Sequence, residues 1–131
     1  MKKRINVVAA IIENDELEIL CALRSSTMSL PTLWEFPGGK IDSEESEIDA
    51  LKREIKEELL CEIDVVDPFD DYAHEYEKMI IRLITYKCRI TQGNPTATEH
   101  AKLLWLKREY LNSLVWAPAD ILTLDKLIKE R

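Results

Sequence analysis

Glycine is scarce in this chain, three residues in 131, and two of the three stand together as Gly38-Gly39. Cysteine is equally sparse. Cys21, Cys61 and Cys88 are odd in number and far apart, without paired metal-ligand spacing, so they are expected to be buried or half-buried free thiols. No apolar run approaches membrane-spanning length, and the basic opening Met1-Lys2-Lys3-Arg4 enters a strand-like run with no small-residue cleavage pattern. A cytoplasmic protein without a membrane partner is expected. Positive charge is in deficit, with 18 Lys and Arg against 25 Asp and Glu and a net charge of −7. Nucleic-acid polymers are held chiefly by Lys and Arg on their phosphates, so no polymer partner is expected, whereas a small nucleotide held through a metal is compatible.

What is present reads as globular: 46% hydrophobic and 33% charged residues, with no repeat or linker, fit a single domain over 1–131. Residues 4–12 are β-branched and nearly continuous, as in a strand buried on both faces, and 17–23 form a second strand ending at Arg24. An aromatic strand in 31–40 feeds the glycine pair. Short strands are predicted at 62–66 and 72–76, with Phe69-Asp70-Asp71 as a solvated loop between them, then strands at 79–90 and 103–106. Pro118 starts a closing helix with Ile121, Leu124, Leu127 and Ile128 as its apolar face. The sum is an α+β chain, a mixed sheet with helices packed on it.

Residues 38–61 organise the rest. The glycines after Pro37 predict a turn whose backbone angles few other residues adopt and whose peptide groups face a ligand. Ser46 and Asp49 form a capping pair, after which Ile48, Leu51, Ile55 and Leu59 recur as a buried helical stripe. Glu54, Glu57 and Glu58 share the flank beside it. Three crowded carboxylates are relieved either by solvent and lysines or by a hard cation such as Mg²⁺ or Mn²⁺, which shares its remaining positions with water and phosphate oxygens.

These residues resemble the signature of the Nudix hydrolases, which runs Gly, five residues, Glu, seven residues, Arg-Glu, an apolar residue, any residue, Glu-Glu, any residue, Gly and an apolar residue. Gly39, Glu45, Arg53, Glu54, Ile55, Glu57, Glu58 and Cys61 match, and Leu60 replaces the last glycine, where a helix commonly ends in a left-handed residue. The resemblance extends over nearly the whole length, with 7–24 similar to that fold's first hairpin, and implies an α/β/α sandwich. It implies a metal set of Gly38 (through its carbonyl), Glu54, Glu57, Glu58 and the loop residue Glu99. Arg53 would orient the glutamates, and Glu54 or Glu99 would help deprotonate the attacking water. By the same resemblance Arg24 is a substrate contact, and Lys40 would meet a phosphate.

Plainer readings stand beside these. An arginine at a strand end is commonly solvated, Glu99 reads as an exposed loop acid, Trp34 and Phe36 as core residues or base-stacking ones, and His74 and His100 as surface residues rather than ligands, with His100 left open because it adjoins the expected site. Ala117-Pro118-Ala119-Asp120, Trp34-Glu35-Phe36 and Glu99-His100 resemble the CTP pyrophosphohydrolase branch of the MutT-like enzymes. Asp120 can accept from a cytosine amine or from guanine N–H groups, or, near a helix start, cap the helix or complement its dipole. The expected function is Mg²⁺-dependent cleavage of a nucleoside triphosphate, (d)CTP or 5-methyl-dCTP, to the monophosphate and pyrophosphate. The alternatives are 8-oxo-dGTP hydrolysis and a non-catalytic binding domain. The oligomeric state is not legible.

Overall fold

The computed structural model describes residues 1–130. In chain order it contains β1 (Lys3–Ile12), β2 (Glu18–Leu23), β3 (Trp34–Glu35), β4 (Gly38–Lys40), α1 (Glu47–Leu59), β5 (Glu62–Glu75), β6 (Met79–Gln92), β7 (Lys102–Lys107) and α2 (Ile121–Lys129). The strands divide into two sheets. One is mixed, ordered β4-β1-β6-β5, with β1 parallel to β6 from Lys3 opposite Met79 to Ile12 opposite Cys88. The other is antiparallel, ordered β3-β2-β7.

The run Val8–Ile12 is at most 1% exposed, because the two faces of β1 meet different helices. Side chains alternate across a strand. Val8, Ala10 and Ile12 pack with Ala50, Leu51, Ile55 and Leu59 of α1, while Ala9 and Ile11 join Leu124 and Leu127 of α2. At about 1.5–3 kcal/mol for each large apolar side chain buried, this three-layer packing dominates the stability. Cys21, Cys61 and Cys88 are buried free thiols, as expected.

Several expectations are corrected. Residues 7–24 do not form a hairpin within one sheet: β1 and β2 share a bridge between Glu13 and Ile19 and then enter different sheets. The turn between them has Leu17 at φ 62° and is held by Asn14 Oδ1, which accepts from Glu16 N and Glu18 N. The two strands expected in 62–76 are one edge strand, β5, whose register shifts near Val65/Asp67 and Pro68/Asp70 absorb the proline. Phe69 is thereby buried rather than solvated. Residues Pro118–Asp120 form a 3₁₀ turn before α2, so the helix starts late and its buried face is Thr123, Leu124 and Leu127, with Ile121 42% exposed. Ile48, in the first turn of α1, is likewise 41% exposed. A further 3₁₀ turn at Arg108–Ser113 buries Leu111, and no sequence signal marked it.

Candidate active site

The capped start of α1 is as expected, with Ser46 Oγ accepting from Asp49 N at 3.1 Å. Its far end is closed in an unexpected way. Leu60 adopts the left-handed conformation, φ 56°, that glycine would have taken, and donates its N–H to Lys56 O at 3.1 Å. The loop before β7 satisfies the remaining carbonyls: Thr96 N reaches Leu59 O, and Thr98 Oγ1 reaches Glu58 O at 2.8 Å.

The glycine pair is a strand, β4, antiparallel to β1, and neither residue has a positive φ. Close approach is the constraint, not backbone freedom. A Cβ on Gly38 would lie 2.0 Å from Val8 O, and one on Gly39 would lie 2.1 Å from Glu54 Oε2. Helix α1 therefore lays Glu54 directly on the backbone of β4.

Arg53 gathers the acids. Its Nε and Nη2 donate to the two Glu45 oxygens at 2.6 and 2.8 Å, Nη1 reaches Glu54 at 2.8 Å and Glu57 at 3.3 Å, and Nη2 reaches Lys40 O at 3.3 Å. This guanidinium holds the Glu45 carboxyl below its ordinary range, and the glutamates in turn raise Arg53. Glu58 lies on the buried side of the same flank, 8% exposed, with Oε1 enclosed and without a hydrogen-bond partner. Burial pushes its carboxyl up to about 8, helped by the charges of Glu54, Glu35 and Glu99.

A cavity of about 510 Å³ opens beside these residues. Gly38, Gly39, Lys40, Glu54 and Glu58 line one part; Arg24, Glu35, Phe36, Tyr76 and Asp120 line another. Arg24 is not a free surface arginine: it donates to Ser29 O at 2.6 Å, Ser29 Oγ at 3.0 Å and Glu35 Oε1 at 2.6 Å. Phe36 is buried and tilted 39° against Trp116 at 4.9 Å. Asp120 is 6% exposed, and its Oδ2 accepts from Phe36 N at 3.0 Å. Burial raises this carboxyl to about 8 against the opposing effect of the Phe36 hydrogen bond. Asp120 makes no side-chain bond to the start of α2, which removes the capping reading.

The remaining predicted residues fall outside the cavity wall. Arg53 stands behind the acids, Glu57 is exposed, and Glu99 sits exposed on the loop before β7, close enough for its charge to act on Glu58. Among the described residues no three His, Cys, Asp or Glu side chains are already gathered as a metal cluster. Arg53 occupies Glu54 and Glu57 instead. The donor chemistry nevertheless fits a hard divalent cation, since enclosed Glu58 Oε1 lacks any partner and all the side-chain donors are carboxylate oxygens.

His100 corrects the expectation of a surface residue: it is 5% exposed and bonded through Nε2 to Glu35 Oε2 at 2.8 Å. Glu35 and Tyr76 were not marked in the sequence as site residues. A charge between two aromatics on a two-residue strand was the available signal for Glu35. Tyr76, whose hydroxyl accepts from Ala119 N at 3.1 Å, had none.

The NUDIX domain model matches residues 7–126. A CTP pyrophosphohydrolase of Escherichia coli K12 is 39% identical over 129 residues, covering 98% of this chain and 95% of the relative. An 8-oxo-dGTP diphosphatase of Haemophilus influenzae is 30% identical over 129 residues with the same two coverages, 98% and 95%. Among solved structures, the solution NMR structure of a DNA mismatch repair protein MutT of the Nudix hydrolase family, from methicillin-resistant Staphylococcus aureus 252, is 52% identical, covers 100% of both chains and has a TM-score of 0.80. With the glycine strand, the Arg53-gathered glutamates and the Nudix fold all in place, this chain belongs to the Nudix hydrolase family, among its MutT-like nucleotide pyrophosphohydrolases.

Proposed function

We propose that the protein is a magnesium-dependent hydrolase that converts CTP, dCTP or 5-methyl-dCTP and water to the nucleoside monophosphate and pyrophosphate. The observation that carries the base assignment is the place of Asp120, a buried carboxyl in the cavity wall whose Oδ2 accepts from Phe36 N at 3.0 Å, and burial raises it to about 8. Below that value it is protonated and offers one donor and one acceptor side by side. Cytosine presents N3, an acceptor, beside its N4 amine, a donor, and matches this pair; guanine can meet the same pair through O6 and N1–H and the ionised form through N1–H and its 2-amine, so a substrate panel separates the two. The E. coli relative named for CTP, at 39% identity, supports the same choice.

The family is typically dependent on a divalent metal. Glu54, Glu57, Glu58, Glu99 and the Gly38 carbonyl would hold Mg²⁺ here, or Mn²⁺, and the ion supplies charge neutralisation on the phosphate oxygens. Arg53 fixes the glutamates through its paired bonds. Glu54, seated on Gly39, or Glu99 of the loop before β7 would take a proton from the attacking water. Arg24 has three of its five N–H groups committed to Ser29 and Glu35, which leaves two for the substrate. Lys40, exposed at the cavity edge, meets a phosphate. The buried free thiols suit a reducing cytoplasm.

The test is pyrophosphate release with Mg²⁺ from CTP, dCTP, 5-methyl-dCTP, dGTP, 8-oxo-dGTP, ADP-ribose and a dinucleoside polyphosphate. Cytidine compounds should lead. An 8-oxo-dGTP preference would overturn the base assignment, and silence across the panel would return the protein to a binding role.

A further inference from the structure

His100 belongs to no step described so far, yet its side chain is fully enclosed, with an exposure of 0%, against the cavity-lining Glu35. Its Nε2 lies 2.8 Å from Glu35 Oε2, and the other oxygen of the same carboxylate lies 2.6 Å from Arg24 Nη1. Glu35 accepts only, so the proton of the first bond resides on Nε2. Nδ1 is buried with no partner at all. The ring is therefore anchored to the site by a single directed bond. Strand β3 explains why this matters: it is two residues long, Trp34 and Glu35, and pairs with β2 at Ala22 and Leu23, next to Arg24. Little else fixes the Glu35 side chain. On the other side, Arg24 leans on Ser29, in a loop that includes Leu30 and Thr32 at φ 49° and 68°. A rigid partner for Glu35 is thus the means by which a short strand and a loop hold one guanidinium at a fixed angle.

We propose that His100 is a positioning residue for substrate binding, acting through Glu35 on Arg24. The proposal rests on the reading of Arg24 as a substrate contact. A charge-assisted bond removed from a partly buried carboxylate loosens its remaining partner, and the loss should fall on ground-state binding, because Arg24 would meet the bound substrate before and during the reaction alike.

Two amides that differ by one methylene make the test. In His100→Gln the terminal N–H₂ reaches the place of Nε2; in His100→Asn it stops near the place of Nδ1 and cannot reach Glu35. Steady-state kinetics are measured with whichever triphosphate of the panel the wild-type protein hydrolyses fastest, so an error in the base assignment leaves the test intact. H100N is expected to raise KM about tenfold with a much smaller change in kcat, and H100Q to restore most of the KM. The Mg²⁺ concentration for half-maximal rate should stay within about twofold in both. Equal kinetics for the two amides would overturn the proposal. A kcat loss accompanied by a shifted Mg²⁺ requirement would also overturn it, since the effect would then run through neighbouring Glu99. Should thermal unfolding show that either amide variant does not fold, Glu35→Gln carries the test: a KM rise is expected, and an unchanged KM sinks the idea.

Discussion

Glu57 shows how far a single exposed side chain depends on its neighbours for meaning. Alone it is a solvated helix glutamate; held 3.3 Å from Arg53, which also binds Glu45 and Glu54, it is one of the oxygens a cation would use. Glu57→Gln should lower pyrophosphate release at least a hundredfold, about the scale for losing a group that stabilises transition-state charge, while circular dichroism shows the fold retained. Near wild-type turnover in that folded variant would remove Glu57 from the metal set. Asp120 makes a different prediction. Asp120→Ala should change the ranking of bases more than it slows cleavage generally, and in the wild type the KM for CTP should climb above about pH 8 as the carboxyl ionises. A uniform loss across bases in D120A would make the residue structural. Both proposals start from residue types that family-spaced motifs name in the sequence. The contact between His100 and Glu35 was not legible, because a hydrogen bond between a loop residue and a strand residue far apart in sequence leaves no periodic trace.

At the scale of elements, α1 was readable from its apolar period and capping pair, and β1, β2, β6 and β7 from their apolar runs. The errors have local causes. A proline and six acids between residues 62 and 75 looked like a loop because single-residue signals do not register that a bulged edge strand tolerates both. The glycine pair was read for backbone freedom when the constraint is contact with Val8 and Glu54, which only the fold reveals. Leu60 is the remaining departure from the family pattern. Its side chain is 58% exposed, so little burial is at stake, and the left-handed backbone costs a non-glycine residue about 1 kcal/mol. Leu60→Gly should therefore stabilise the protein by several tenths to about 1 kcal/mol, part of the gain being returned as unfolded-chain entropy. Urea unfolding would show it as a raised midpoint. A lowered midpoint would mean that the Leu60 side chain contributes contacts outweighing its strain.

The whole molecule should respond to pH in two opposite windows. Glu45, Asp71, Glu75 and Glu130 have lowered values, chiefly through bonds to Arg53, Arg82, Lys2 and Lys87, so their contribution disappears as pH falls through those values in acid. Glu58 and Asp120 work the other way. Their folded values of about 8 stand above the ordinary 4.5 and 3.8, so between those limits the folded state keeps protons that the unfolded chain has released, and stability declines as pH rises. In EDTA the melting temperature should fall from pH 5 to pH 8, and Asp120→Asn should flatten the slope. Added Mg²⁺ should recover more stability at pH 8 than at pH 5, because a carboxylate must be deprotonated to bind a cation. A melting temperature that rises steadily over that range in EDTA would refute the buried, protonated state of both groups.

The parallel pairing of β1 with β6 has a consequence for how the chain comes to be folded. Lys3 is matched with Met79 and Ile12 with Cys88, so β1 leaves the ribosome well before β6 and waits for a partner far along the sequence. Closing so long a loop must precede the reward of pairing. Until β6 arrives, β4 can cover only one edge of β1, and the β-branched segment keeps its other edge open to association with copies of the same chain.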